Sequence, residues 1–169
     1  MSAPAATRIG HVHLKVADLD RAVAFYRDVL GFEVTQRYGP SAAFLSAGGY
    51  HHHIGLNTWE SAGAMPPPPG HTGLYHTAIL YPDHAALADV LRRALAAGVA
   101  IEGAADHGVS EAIYFSDPDG NGVEIYVDRA PEDWPRDPDG QLAMVNRRFD
   151  LQALLDAHPA PAPAVPGVS

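Results

Sequence analysis

The 169-residue chain has no cysteine, few basic residues and no long apolar run, and each absence excludes a class of site or partner. Without cysteine there is no disulfide and no thiolate ligand, so a bound metal would need nitrogen and oxygen ligands. Only 11 lysines and arginines stand against 20 acidic residues, which argues against a nucleic-acid partner. No apolar stretch approaches the roughly 20 residues that span a bilayer, and residues 1–10 lack a signal-peptide core. We therefore expect a cytoplasmic protein without membrane contact.

Histidine, in contrast, is abundant. The chain has ten histidines, a number that points towards metal or proton chemistry. Three of them are consecutive in "GYHHHIGLN", residues 49–57, where polar and apolar positions alternate as in a strand with one buried face. At least one of the three is therefore expected to point into an enclosed space.

An internal repeat organises residues 9–128. Each half has the pattern of a strand, an amphipathic helix and three further short strands. Asp18 and Asp83 are the predicted N-caps of the two helices. His11 and His76 open the two halves at the same 65-residue offset that separates the two caps. This pattern predicts an α+β fold built from two βαβββ units.

Three segments lie outside the repeated pattern. Residues 58–73 contain four consecutive prolines and are predicted to form a stiff surface connection. Residues 129–157 are predicted to form a C-terminal helical extension, whose last part has the composition of one or two short helices. Residues 158–169 form a Pro/Ala tail that is predicted to be disordered.

Glu124 is the carboxylate that the strand pattern singles out. In "GVEIYVD", residues 122–128, Val123, Ile125 and Val127 form an apolar face, so Glu124 is expected on the opposite face. The preceding "DPDGNG", residues 117–122, fits the first half of a calcium-binding loop. Its twelfth position is an aspartate instead of glutamate and strands flank it, so we interpret it as a hairpin turn.

The paired βαβββ pattern and two longer stretches, "HVHLKVADLDRAVAFYRDVLGF" and "DHGVSEAIYFSDPDGNGVEIY", resemble the vicinal oxygen chelate superfamily. This superfamily includes glyoxalases, bleomycin-resistance proteins and extradiol catechol dioxygenases. The second stretch is most similar to the C-terminal part of catechol 2,3-dioxygenases. The resemblance covers about residues 9–128 and implies that the two units form a cupped half-barrel sheet around a metal site.

The resemblance implies that His11, His76 and Glu124 bind the metal. The alternation of the strands agrees, because it places all three opposite the apolar faces. His13 is the main rival ligand, and the repeat offset favours His11. Two imidazoles and one carboxylate leave adjacent coordination positions open, an arrangement that suits Fe(II). Mn(II), Zn and Ni are the alternatives.

The resemblance also implies roles for residues around the metal. Extradiol dioxygenases carry an acid–base histidine on the strand that here contains the histidine triplet. Strand alternation favours His53, with His51 or His52 as alternatives, because a bulge would reverse the orientation. Tyr114, ten residues before the predicted glutamate ligand, resembles a tyrosine that hydrogen-bonds substrate or oxygen. His107 resembles a histidine of the same family that supports the site without binding the metal.

The implied activity is extradiol ring cleavage of a catechol-type aromatic with O2 at a non-haem Fe(II) site. The partners would be a small aromatic substrate and O2, and the half-barrel fold with the extra segment after residue 129 favours a homodimer. A glyoxalase-type lyase, isomerase or epimerase with Zn or Ni is the first alternative. A small-molecule or drug-binding resistance protein is the second.

Overall fold

The computed structural model describes residues 2–160. Met1 and residues 161–169, which make up most of the predicted disordered tail, lie outside the described residues. The described elements are, in chain order, β1 (Val12–Lys15), α1 (Leu19–Ala24), β2 (Glu33–Tyr38), β3 (Ala42–Ser46), β4 (Ile54–Asn57), β5 (Thr77–Leu80), α2 (His84–Ala96), β6 (Gly103–Asp106), β7 (Ser110–Ser116), β8 (Gly122–Asp128), β9 (Arg147–Arg148) and α3 (Leu151–Ala157).

The strands form two mixed sheets. The first has the order β1-β4-β3-β2, with β1 parallel to β4 and the other pairs antiparallel. The second has the order β5-β8-β7-β6-β9. The α+β class and the repeated βαβββ order are therefore confirmed.

The chain divides into two compact units. The first unit runs up to Thr77 and includes Phe115–Val123. The second consists of Ala78–Tyr114 and the chain from Glu124 onwards. The turn between β7 and β8 thus belongs to the first unit, whereas most of both strands belongs to the second.

In the first unit, α1 begins where the sequence predicts it. The Asp18 side chain accepts a hydrogen bond from the Arg21 amide at 3.0 Å, which satisfies one of the free donors at the helix start. The helix continues as a π-helical turn over Phe25–Val29. Its buried side includes Tyr26, which is fully buried together with Leu45 and Leu56 of the sheet. Leu45 and Leu56 thus lie on the buried face of the first sheet, and strand alternation places His13 and Phe44 on its other face.

In the second unit, α2 is capped by Asp83, whose carboxylate accepts from the Ala86 amide at 2.8 Å. The four-residue spacing of Leu87, Leu91 and Leu95 predicts one buried side of this helix, and Leu87 and Leu91 are fully buried. Leu95, expected on the same side, is 47% exposed because it lies in the last turn of the helix. The predicted apolar face of β8 is confirmed, since it is 3% exposed or less at Val123, Ile125 and Val127.

Two strands differ from the sequence prediction. The strand predicted over residues 50–57 begins only at Ile54. Two glycines with positive φ, Gly48 and Gly49, turn the chain just before the histidines, so strand alternation does not extend through the triplet. In the second repeat, the segment "VAIEG", residues 99–103, predicts the first of the three short strands, but the structure has this strand at Gly103–Asp106, where it pairs with β7.

The hairpin turn predicted at residues 117–122 is present. Asp117 Oδ1 accepts from the backbone amides of Asp119 and Asn121, at 2.9 Å each. Asp117 Oδ2 accepts from the Tyr26 hydroxyl at 3.1 Å and from Asn121 Nδ2 at 2.9 Å. The carboxylate is therefore engaged by protein donors, which supports the turn interpretation over a calcium loop.

The C-terminal extension is helical only in part. A short 3₁₀ turn at Pro131–Asp133 is followed by turns, then by β9 and α3. β9 adds an edge strand beside β6, with Ala105 opposite Arg148. Among the described residues, no helix has the length and apolar character needed to cross a membrane.

Candidate active site

Three predicted site residues form one hydrogen-bonded chain in the second unit. The Tyr114 hydroxyl lies 3.2 Å from Glu124 Oε1 and 2.7 Å from His107 Nε2. Glu124 is only 9% exposed. The 10-residue spacing brings the tyrosine and the glutamate together because they lie on adjacent antiparallel strands, β7 and β8, joined by the tight turn.

The C-terminal extension holds the far side of His107. His107 Nδ1 lies 3.1 Å from the Val145 carbonyl oxygen, and the Val145 amide donates to the His107 carbonyl oxygen at 3.0 Å. A carbonyl oxygen only accepts, so His107 Nδ1 carries the proton of this bond. The ring is thereby fixed by backbone at one nitrogen and by the tyrosine at the other.

His76 lies in the first unit, immediately before β5. A Cβ added to Gly122 would collide with the Tyr75 carbonyl oxygen and would come within 3.1 Å of the His76 Cβ. Only glycine fits there, because the Tyr75–His76 backbone lies directly against it. Gly122 precedes Glu124 by two residues, so the two positions share one face of β8.

His11 lies immediately before β1, in the position that His76 holds in the second repeat. Its ring is 4.4 Å from the ring of His52, measured between centroids. Of the three consecutive histidines, His52 is therefore the one in direct contact with the predicted ligand.

A continuous series of rings extends from this contact across the first sheet. Phe44 lies 5.0 Å from His52 and 5.9 Å from His13, and His13 lies 5.6 Å from Trp59. The His13 ring covers Gly55 on the neighbouring strand, where an added Cβ would approach it to 2.9 Å. We call His52, Phe44, His13 and Trp59 the ring wall. Trp59 is 59% exposed, so the ring wall reaches solvent at that end.

The other two histidines of the triplet have different neighbours. His53 Nδ1 lies 3.0 Å from Ser46 Oγ and accepts from the Ala47 amide at 3.3 Å. His51 Nδ1 lies 2.7 Å from His52 Nδ1. A bulge in β2 presents Thr35, whose hydroxyl donates to the His51 carbonyl oxygen at 2.9 Å and anchors the backbone there.

The crowding of imidazoles affects their protonation. Burial lowers the pKa of His52, and electrostatic repulsion from the neighbouring imidazoles of His11, His51, His13 and His53 lowers it further. Burial and the charge of His11 likewise lower the pKa of His13. Both rings therefore favour the neutral form, in which each has a nitrogen able to accept a proton.

Among residues 2–160, no three histidine, aspartate or glutamate side chains are placed so that they could hold a metal ion together. The ligand set of His11, His76 and Glu124 therefore stays a prediction. The structure does bring together Glu124, Tyr114 and His107 in the second unit, and His11 with His52 in the first.

Comparison with known proteins agrees with this architecture. Residues 8–125 match the sequence model of the Glyoxalase/Bleomycin resistance protein/Dioxygenase superfamily. The chain belongs to this superfamily. Its predicted membership and fold are therefore confirmed, and the match includes the two histidines that open the repeats and the glutamate of β8.

Two curated members of the superfamily are similar in sequence. The catechol-2,3-dioxygenase of Bacillus subtilis (strain 168) is 42% identical over 150 residues, which cover 89% of this chain and 52% of that protein. The chain thus spans about half the length of that relative. Biphenyl-2,3-diol 1,2-dioxygenase 3 of Rhodococcus globerulus is 30% identical over 161 residues, covering 92% of this chain and 84% of that one.

Solved structures of the superfamily match as well. The lactoylglutathione lyase from Agrobacterium tumefaciens has a TM-score of 0.55 and 28% identity, and the match covers 73% of this chain and 96% of that one. Similar folds in this superfamily therefore carry both lyase and dioxygenase names, and the site must discriminate between them.

Sequence reasoning missed two features of the site. The contact between His52 and His11 depends on an irregular backbone before β4, which alternation does not describe. The bond to His107 comes from a backbone carbonyl, and no side-chain pattern marks Val145. The positive-φ glycines at residues 48 and 49 could have indicated the first, since glycine pairs favour turns.

Proposed function

We propose that the protein is an extradiol dioxygenase, which opens the ring of a catechol-type aromatic beside its hydroxyl groups with O2. The observation that carries this proposal is the chain from Glu124 through Tyr114 to His107, at 3.2 and 2.7 Å. It joins a buried carboxylate to a phenol and an imidazole. Such a chain can orient a bound phenolic substrate and move protons, whereas a binding protein has no need of it.

The proposed metal ligands are His11, His76 and Glu124. Their donor chemistry fits a non-haem Fe(II) site, because two imidazoles and one carboxylate are combined in a chain without thiolates. Glu124 is buried and receives the Tyr114 hydroxyl, as carboxylate ligands commonly do. When bound, Fe(II) would supply chelation of both catechol oxygens and activation of O2; Mn(II) could replace it.

The acid–base role is proposed for the histidine triplet. The sequence prediction of His53 assumed a regular strand through the triplet, whereas contact with His11 and a lowered pKa favour the alternative His52. A neutral His52 ring can take a proton from a substrate hydroxyl and return it to a product oxygen. In the second unit, Tyr114 would hydrogen-bond the substrate or the reacting oxygen, and His107 would hold that hydroxyl in place.

The ring wall supports an aromatic substrate. Its first ring, His52, contacts the proposed ligand His11, and Phe44, His13 and Trp59 continue from it, and planar rings pack well against such surfaces. A substituent on the substrate ring could extend along the wall towards Trp59. The printed names of the Bacillus and Rhodococcus relatives, a catechol and a biphenyl-diol dioxygenase, agree with an aromatic diol.

A glyoxalase-type isomerase or lyase with Zn or Ni is the second candidate. The structural match to the Agrobacterium lactoylglutathione lyase, at 28% identity, favours it. Metal preference and O2 consumption separate the two, because an isomerase reaction consumes no O2.

The test is oxygen uptake with catechol and with biphenyl-2,3-diol after anaerobic loading with Fe(II). Uptake with a yellow ring-cleavage product, lost in Glu124→Ala and kept in the matched exposed variant Glu33→Ala, supports the proposal. Absence of uptake in a wild-type protein shown to contain Fe(II) would contradict it for these diols. Isomerisation of a glutathione hemithioacetal with Zn or Ni would then support the second candidate.

A further inference from the structure

Part of the C-terminal extension pairs with the segment that carries His107. We call residues 143–148 the strap. Within it, Val145 and His107 exchange two bonds, from the Val145 amide to the His107 carbonyl oxygen and from His107 Nδ1 to the Val145 carbonyl oxygen. The strap continues into β9, which pairs with β6 immediately before His107. His107 is therefore bonded to the strap through both backbone and ring.

The bond to Val145 determines which nitrogen of His107 can exchange a proton. In neutral His107, Nδ1 donates to Val145 and Nε2 accepts the single proton of the Tyr114 hydroxyl at 2.7 Å, so the 3.2 Å contact between Tyr114 and Glu124 then carries no proton. In the protonated ring, Nε2 donates to the Tyr114 oxygen, whose proton then points to Glu124. Nδ1 keeps its proton in both states, so only Nε2 changes.

We propose that the strap is a positioning element and that Val145 is its positioning residue. Its carbonyl holds His107 in the Nδ1–H tautomer and directs all proton exchange of this ring towards Tyr114. The effect on turnover rests on the proposed function, but the tautomer does not, because it exists in the protein without metal or substrate. The extension thereby takes part in the site through a backbone atom.

The packing beneath the strap supplies a way to displace it. Gly108 has φ +77°, and an added Cβ would lie 2.8 Å from Pro135 Cγ and 3.2 Å from Val145 Cγ2. A methyl group at this position therefore pushes against the strap at the residue that holds the ring. Val145→Pro acts differently, because it removes the amide that donates to the His107 carbonyl oxygen. Val145→Ala keeps both backbone bonds and is the matched control.

The first measurement is the tautomer of His107 in metal-free protein labelled with ¹⁵N-histidine, from long-range ¹H–¹⁵N correlation spectra. The wild type and Val145→Ala are expected to show Nδ1–H. Gly108→Ala and Val145→Pro are expected to show a mixture with Nε2–H. An Nε2–H tautomer in the wild type would overturn the proposal, and this result needs no variant to fold.

The second measurement uses Fe(II)-loaded protein and separates positioning from general damage. Loss of the strap contact should lower kcat by about tenfold, as for other groups that orient catalytic residues, with KM nearly unchanged. An unchanged tautomer and kcat in a folded variant whose Val145 amide exchanges freely would also overturn the proposal. If the wild type shows no dioxygenase activity, the proposed function fails while the tautomer result still decides the role of the strap.

Discussion

The two repeats share one plan but hold their polar side chains in different ways. In the first repeat, imidazoles meet each other and aromatic rings, as His11 meets His52 at 4.4 Å. In the second repeat, Tyr114, His107 and Glu124 are joined by directed hydrogen bonds, and Val145 holds the end of the chain. Ring contacts tolerate small shifts, whereas hydrogen bonds fix atoms. The first repeat thus suits substrate contact, and the second suits precise orientation.

The largest effect should come from the first repeat and should distinguish two adjacent histidines. His52→Gln is expected to lower kcat by about a hundredfold or more, because an acid–base group would be lost. His53→Gln should change kcat little, since His53 bonds to Ser46 instead of facing His11. Steady-state oxygen uptake measures both. The reverse pattern would return the acid–base role to His53.

A smaller loss is expected in the second repeat. Tyr114→Phe removes the hydroxyl between His107 and Glu124, and kcat should fall by about 10- to 100-fold. Tyr81→Phe, at a half-buried tyrosine of the same unit, is the control. Equal kcat values for the two variants would show that the hydrogen-bonded chain has no part in turnover.

A comparison of two identical turns concerns stability. Asp-Pro-Asp-Gly occurs at residues 117–120 and again at 137–140. In each turn the first aspartate accepts hydrogen bonds from the backbone amides two and four residues further on. Only Asp117 is buried and also bonds Tyr26. Asp117→Ala should therefore lower the free energy of unfolding by about 3 kcal/mol, and exposed Asp137→Ala by under about 1 kcal/mol. Urea denaturation measures both, and similar losses would refute the contribution of burial.

The smallest effect concerns alkaline pH. Burial and the Asp117 carboxylate raise the pKa of Tyr26 well above its ordinary value of 10.0. The stability that the neutral phenol contributes is fully present below pH 10 and is lost as the pH rises towards the raised pKa. Tyr26→Phe should therefore lose less stability than the wild type between pH 9 and pH 11. Urea denaturation midpoints at the two pH values measure this difference. Equal losses of stability in the wild type and in Tyr26→Phe would contradict the prediction.

The sequence predicted the features that depend on local chemistry and repetition. Asp18 and Asp83 cap their helices as predicted, because a capping carboxylate needs only the next amides of its own chain. The two Asp-Pro-Asp-Gly turns show where prediction from local sequence ends. Their local hydrogen bonds are alike, but only tertiary packing places one of them under Tyr26.

The parts that the sequence did not predict depend on irregular backbone. Strand alternation failed at residues 51–53, because β4 starts at Ile54 and the preceding glycines turn the chain. The partner of His107 Nδ1 is the backbone carbonyl of Val145. Every residue has such a carbonyl, so the sequence does not show which one His107 will bond. Tyr114 and Glu124 were predictable as a pair, because a hairpin fixes which residues lie opposite each other.

The most direct test of the central claim is metal binding by residues of both repeats. Anaerobic Fe(II) titration of metal-free protein, followed by calorimetry, should show one ion per chain. His11→Ala, His76→Ala and Glu124→Ala should each abolish this binding, while His13→Ala, the variant of the rival ligand, should retain it. Binding that survives in the three ligand variants, or that is lost only in His13→Ala, would contradict the proposed site.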